Sequence, residues 1–412
     1  MTGETKRWFA GVDWGSERHQ VCLLDGAGAV VGERAFAHGG AGLVALCDWL
    51  VSLAGDPGSV AVAIEVPHGP VVDVLLDRGF AVHAINPKQL DRLRDRISVA
   101  GAKDDRRDAR VAAAGLRTDR HLFRPVRVGD PGVIELREWS RLAEELQQER
   151  LRLANRIRQQ LWRYYPQLLE LGEDVTAEWI LALWSVAPTP AKAAQLREAT
   201  VARLLARHRI RRLDAASVLG VLRQPAITVA AGVTEAAVLH LRSLVTRLRL
   251  ASTEFEQAER KLDELCAELS QDAATATHDP CDAAILRSFP GVGTTVLAIL
   301  LAEAGDPLAR RDHAALRTLS GVAPVTKRSG KTCTVVMRYA AQARLRQAVF
   351  HWARVSIMHD PKSRDRYKAF RARGHSYGRA LRGVADRLLG VACVLLRRRI
   401  RFDPDYGKPT AA

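Results

Sequence analysis

The sequence predicts an α/β domain followed by a long all-α region, and three observations predict it. Residues 7–118 alternate short apolar runs with amphipathic stretches, the pattern of a mixed sheet flanked by helices. From about residue 130 the apolar positions step at helical spacing, and between 241 and 269 they hold a heptad. The end of the chain, residues 321–412, is again helical in pattern but strongly basic.

The elements follow in order. RWFAGVDWG is a strand ending at Asp13, HQVCLLD is a second, and GAGA turns the chain into VVGERAFA to complete a three-strand meander. GGAGLVALCDWLVSLAG is an amphipathic helix closed by glycine, and SVAVAIEV is a buried strand ending at Glu65. PVVDVLLDRG, FAVHAIN and the residues after them add a helix, a strand and further helix. Asp130 before Pro131 starts a long helix with Leu142, Leu146, Leu153, Ile157 and Leu161 at helical spacing. A second long helix begins near Thr234 and carries a heptad seam of Leu241, Val245, Leu248, Phe255, Ala258, Leu262, Leu265 and Leu269. Such a seam packs within one chain or between subunits, and we read it as a coiled-coil arm that joins subunits. The stretch between the two helices, roughly 165–233, is helical and Arg-rich. The expected domains are 1–125, 126–275 and 276–412.

Composition narrows the function. No stretch of about 18 uncharged apolar residues occurs, so no membrane span is expected. The N-terminus runs straight into a strand without a signal-peptide pattern. The cysteines at 22, 47, 266, 281, 333 and 393 lack zinc spacing, as expected of thiols in a reducing cytoplasm. Residues 1–320 hold 41 Lys and Arg against 41 Asp and Glu, whereas residues 321–412 hold 21 against 5. The net charge of +16 therefore sits in the last segment, which also contains Trp352, Tyr367 and Phe370 and so folds. A basic domain on a neutral body is the footprint of a nucleic-acid partner.

Two constellations carry chemistry. Asp13 and Glu65 end strands, while Asp105 and Asp108 lie three apart at the start of a helix and share a face. Sheet edge and helix start can bring these acids together, and hard divalent cations, Mg²⁺ or Mn²⁺, relieve the repulsion between them. Taken singly, each reads first as a capping or surface acid, and only the combination points to a metal site. In SFPGVGTTV, Gly291 and Gly293 free backbone N–H groups at a helix start. That turn is either a phosphate cradle of the helix-hairpin-helix kind or a plain helical turn.

The segments GVDWGSERHQVCLLD, AIEVPHGPVVDVLLDRGFAVHAINPKQ and the K-x-D-x-x-D-A run at 103–109 resemble the DEDD insertion-sequence transposases, the "IS-one-ten" family. SFPGVGTTVLAILLAEAGD, LSGVAPVTKRSGK and GRALRGVADRLLGVACVLLRRRIRFDP resemble that family's C-terminal domain. The resemblance implies an RNase H-like, resolvase-type N-terminal domain with Asp13, Glu65, Asp105 and Asp108 at the four acidic positions. Asp104 is an additional acid beside the third. It also implies that Ser329, before Gly330 and after the Gly321-Val322-Ala323-Pro324 motif, is a nucleophile. Arg328 and Lys331 flank that serine, and Arg338 and Arg346 are either phosphate contacts or exposed helix charges. The family picture further implies a non-coding guide RNA, a homodimer assembling into a tetramer, a bacterial cytoplasm and proximity to the nucleoid. The chain departs from the family pattern in its extra helical sequence between the matched regions and in MRYAAQARLRQA after the serine. The alternative is a Mg²⁺-dependent nuclease or junction resolvase in which only the carboxylates act.

Overall fold

Strands of eight residues or fewer, rich in valine, alanine and leucine, pair into one sheet near the start of the chain. A computed structural model describes residues 8–97, 104–126, 130–172, 174–271, 279–330 and 332–405. The chain divides into two units, Met1–Asp130 and Pro131–Ala412.

In the first unit, β1 (Trp8–Trp14), β2 (Arg18–Leu24) and β3 (Val30–Ala37) form the expected antiparallel meander. Helix α1 (Gly40–Ala54) leads to β4 (Val60–Ile64), which is buried at every residue and pairs parallel to β1. Helix α2 (Pro70–Asp77) returns the chain to β5 (Ala81–Ala84), parallel to β4. Then come α3 (Pro87–Ile97), α4 (Asp105–Thr118) and the short β6 (Arg124–Pro125), antiparallel to β5. The sheet order is β3-β2-β1-β4-β5-β6. Sequence reading does not reveal β6, because two residues including a proline leave no alternation to detect. One face packs on α1 and α2 through Val62, Ile64 and Leu46, and the other on α3 and α4 through Ala61, Ala63 and Val111.

The second unit is mostly helical. Helix α5 (Pro131–Tyr164) begins where Asp130 and Pro131 predict. A cluster of shorter helices follows: α6 (Gln167–Glu170), α7 (Glu178–Val186), α8 (Pro190–Ala194), α9 (Glu198–Arg207) and α10 (Ala215–Leu222). Helix α11 (Val233–Leu269) then runs back along α5. Cross-links at Lys261–Glu135 (3.2 Å), Arg247–Glu149 (3.5 Å) and Arg156–His240 (3.2 Å) establish an antiparallel pair. The α11 heptad is therefore filled within the chain: Leu241, Val245, Leu248, Ala258, Leu262 and Leu265 are buried, largely against Leu153, Ile157, Leu136 and Ala143. Leu142 departs from its expected place. It is 41% exposed, and Ala143 takes the inward position because small residues let the two helices approach.

After α12 (Asp282–Arg287), α13 (Thr294–Ala309) and α14 (His313–Leu319) comes an element the helical reading omits. Strands β7 (Val325–Ser329) and β8 (Thr332–Val336) form an antiparallel hairpin. The β-branched run TCTVV is the signal that could have found it. Helices α15 (Ala343–His359), α16 (Pro361–Ala372) and α17 (Tyr377–Arg398) complete the unit. Two cores share the α5–α11 hairpin. At its base Leu136, Leu262, Leu297, Trp352 and Leu388 join one cluster, and at its tip Ile157, Leu241, Trp184 and Leu219 join another.

Candidate functional site

The N-terminal site begins with a glycine. A Cβ on Gly11 would lie 1.9 Å from the Ala109 carbonyl oxygen and 2.7 Å from the Ala113 nitrogen, so α4 rests directly on β1 there. Arg117, near the C-terminal end of α4, reaches Gly28 and the Gly26 carbonyl in the β2–β3 turn, which borders the start of β1. Helix α4 therefore runs opposite to β1, and its N-terminus points toward the strand's end.

That end carries the acids. Val12 pairs with Ile64, so Asp13 and Glu65 come next on adjacent parallel strands. Alternation puts Asp13 on the same face as Gly11, and continuing β4 past its end puts Glu65 on the face of Ala63. Both faces are the ones α4 covers. On α4, Asp105 lies one turn before Ala109 and over β1, while Asp108 lies one turn before Ala112, on the β4 side. The two strand-end acids and the two helix-start acids thus share one edge, at the positive end of the α4 dipole. Asp104 is the helix N-cap and accepts from the Arg106 amide at 3.4 Å. Asp13 and Glu65 are half-buried, and Asp105 is exposed.

Asp108 differs from the other three. It is 3% exposed and accepts two hydrogen bonds from Arg94 of α3, Nε to Oδ1 at 2.7 Å and Nη2 to Oδ2 at 3.0 Å. Arg94 also reaches Asp91 at 2.8 Å. Burial works against the Arg94 charge, but the two carboxylates outweigh it and push its pKa up. Among the described residues no three His, Cys, Asp or Glu side chains converge closely enough to hold an ion. The donor set is nonetheless all carboxylate oxygen, and the one buried member already needs a cation beside it, which the guanidinium supplies. The residues therefore fit a hard divalent cation in kind, whereas in this arrangement Asp108 is held by Arg94 rather than turned toward the other three acids.

Beside this edge is a small apolar recess lined by Trp14, His19, His38, His68 and Pro70. His19 is fully buried, its Nε2 lies 3.0 Å from His38 Nδ1, and its Nδ1 has no hydrogen-bond partner among the described residues. Burial pushes its pKa down, and His38 adds to the effect. Sequence reading missed both Arg94 and His19. The β2 alternation that buries Val21 and Leu23 could have found His19, whereas nothing local marks Arg94 as the partner of a residue 14 positions on.

In the second unit Ser329 is the last residue of β7, exposed at the tip of a hairpin whose strands are largely exposed. Gly330 has φ +54°, which turns the chain at that point. Arg328 is exposed, and Lys331 lies outside the described residues. Arg338 and Arg346 are half-buried beside the hairpin's base: Arg338 Nε donates to the Ala323 carbonyl at 3.2 Å, and the Arg346 Cδ borders Gly321. The PGVG turn divides in role. Gly291, at φ +86°, is wedged against the Trp352 carbonyl and Ser356 amide of α15, so it is a packing glycine. Gly293 is the N-cap of α13 with open space around it, at the wall of a cleft that Gln147, Thr295 and His351 also line. No helix of the described residues is long and apolar enough to cross a membrane.

Comparison with known proteins adds to this geometry. Residues 10–166 match the family model for the DEDD type of IS110, described as a transposase, and residues 283–368 match the model described as "Transposase IS116/IS110/IS902 family". The chain is 60% identical over 214 residues to y4uE of Sinorhizobium fredii, which is named as a transposase; the match spans 52% of the chain and 60% of that protein. It is 31% identical over 96% of its length, and 95% of the relative's, to the Streptomyces coelicolor mini-circle protein named as the transposase for IS117. The 43.6 kDa protein of insertion element IS110, also from Streptomyces coelicolor, is 28% identical over 94% of each chain.

Proposed function

The chain belongs to the IS116/IS110/IS902 family of transposases, enzymes that act on DNA, and from that footing we propose that it cuts and rejoins strands through its own serine. The observation that carries this reading is the meeting of the α4 N-terminus with the ends of β1 and β4, which sets Asp13, Glu65, Asp105 and Asp108 along one edge. An antiparallel meander followed by parallel β4 and β5 supports an RNase H-like domain of the resolvase type.

In this reading the four carboxylates hold Mg²⁺ or Mn²⁺, which when bound screens the phosphate charge and favours an attacking oxygen. Asp105 draws on the positive helix end, and the two hydrogen bonds from Arg94 hold the Asp108 carboxylate in a fixed orientation. Ser329 Oγ forms a bond to phosphorus, and the strand oxygen opposite it leaves and takes up a proton. Attack by the hydroxyl of another strand breaks the serine ester and reseals the backbone without ATP. Arg328, Lys331, Arg338 and Arg346 neutralise the phosphates around the serine, and Gly291 and Gly293 belong to the same DNA-facing domain. Exposure of Ser329 at a hairpin tip supports this role, because the tip can enter a site that another subunit completes. The homodimer or tetramer so required uses surfaces other than the α5–α11 seam, which is filled. The excess charge of residues 321–412 suits an element-encoded guide RNA as well as DNA, in a bacterial cytoplasm near the nucleoid.

The test is a trap for covalent protein–DNA adducts. Purified protein with Mg²⁺, its co-purifying RNA and labelled element-end DNA is quenched in detergent beside Ser329→Ala and Asp13→Ala. A labelled, protease-sensitive band in wild type, absent from both variants, is expected. Cleavage without any adduct, lost only in Asp13→Ala, would establish the nuclease alternative instead.

A further inference from the structure

The two family models leave residues 167–282 unspanned, and that interval contains the helices at the tip of the long hairpin. This cap is a built structure. Helices α6 to α10 close over the ends of α5 and α11 around Tyr164, Trp179, Trp184, Leu205 and Leu219. Tyr164 donates to the Pro188 carbonyl at 2.9 Å and accepts from Trp184 Nε1 at 2.9 Å. The cap lies at the opposite end of the hairpin from the core that holds Val322.

Its surface is unevenly charged. Residues 197–212 hold six arginines against one acid, Glu198. Arg212 is structural: it lies over the Trp179 ring and donates to the Leu171 carbonyl at 3.0 Å. Arg203, Arg207, Arg209 and Arg211 are exposed, and none of them has a carboxylate partner among the described residues. Nearby arginines on the hairpin do have one, Arg247 with Glu149 and Arg249 with Glu178. Arg203 and Arg207 lie one turn apart at the end of α9, which closes with the Ile210 amide bonded to the Leu205 carbonyl and Arg209 at φ +54°. Glycine is the usual residue at that left-handed position, and here it is an arginine.

We propose that this face of the cap is a second DNA-binding site, gripping the phosphate backbone of duplex DNA through Arg203, Arg207, Arg209 and Arg211. The proposal rests on the reading of the chain as an enzyme that processes DNA. Duplex is favoured over single strand because the segment has no Phe, Tyr or Trp on which an unpaired base could stack. Contacts of this class fix position on DNA and read no sequence. A 34-residue α5 spans about 51 Å, so the cap grips DNA well away from the serine hairpin.

The test compares full-length wild type, the quadruple Arg→Gln variant and the quadruple Arg→Lys variant, with melting curves to confirm folding. Affinity for a labelled duplex is measured across salt concentrations, and affinity for an RNA hairpin in parallel. Removing four phosphate contacts should flatten the log–log salt slope by about 3.6, and the lysine variant should restore most of it. Equal slopes for wild type and the Gln variant would overturn this proposal alone. Loss confined to the RNA hairpin would overturn the assignment to DNA. A wild type that binds no duplex even at low salt would overturn this proposal together with the reading beneath it.

Discussion

Gly11 of β1 and Ala109 of α4 are in backbone contact, and a single methyl on Gly11 would fall 1.9 Å from the Ala109 carbonyl oxygen. Helix and strand can cross this closely only because glycine meets alanine. The contact sets how near Asp105 lies to Asp13. Gly11→Ala should therefore lower stability by about 3 kcal/mol and abolish strand cleavage. Urea denaturation and the adduct assay together check this, and a variant as stable and active as wild type would refute it.

Arg94 serves Asp108 as a countercharge in a buried position. Arg94→Gln should destabilise the domain by roughly 3 kcal/mol, since a buried carboxylate is left without its ion pair. Millimolar Mg²⁺ should recover more of that loss in the variant than it adds to wild type. Thermal melts with and without Mg²⁺ read the difference. An identical Mg²⁺ response in both proteins would argue against Asp108 as a cation ligand.

His19 makes the first unit sensitive to acid. Its folded pKa is lowered from 6.5 by burial, and further by His38, so the unfolded chain binds the proton more readily. The stabilisation from keeping His19 neutral is complete above pH 6.5 and falls away as the pH drops below it. The limiting slope for one proton is about 1.4 kcal/mol per pH unit. Stability measured by chemical denaturation between pH 7.5 and roughly 5 should fall toward acid, by no more than this slope, and His19→Phe should flatten the fall. A profile that His19→Phe leaves unchanged would locate the acid sensitivity elsewhere.

Local pattern made most of the first unit legible. The meander, β4 and β5 follow from apolar runs and turn residues, and strand-end acids could be named because a strand's end is a local property. The α4 acids were legible as a pair, but their direction was not, since it depends on Arg117 reaching the β2–β3 turn. Arg94 was invisible for the same reason: it meets Asp108 only when α3 and α4 pack. The period of the α11 heptad is legible in the sequence but its partner is not, because α5 lies about a hundred residues away. The β7–β8 hairpin was missed because its strands bury little and Ser-Gly is a turn signal in any loop.

The shared hairpin has a consequence for how the second unit folds. Residues of α5 and α11 that touch at the base are separated by more than a hundred positions, as Glu135 and Lys261 show. Joining them first would close a loop nearly twice as long as the one from Tyr164 to Val233 at the tip, at a somewhat greater entropic cost. The cap helices are local in sequence, so they can condense early and bring the start of α11 beside the end of α5. Each further turn then adds contacts while closing almost no new loop, and zippering proceeds from tip to base. Val322 and Trp352 would gain their neighbours on the base half of the hairpin last. A chain damaged in the cap would thus reach its native state slowly, even with every residue of the base core intact.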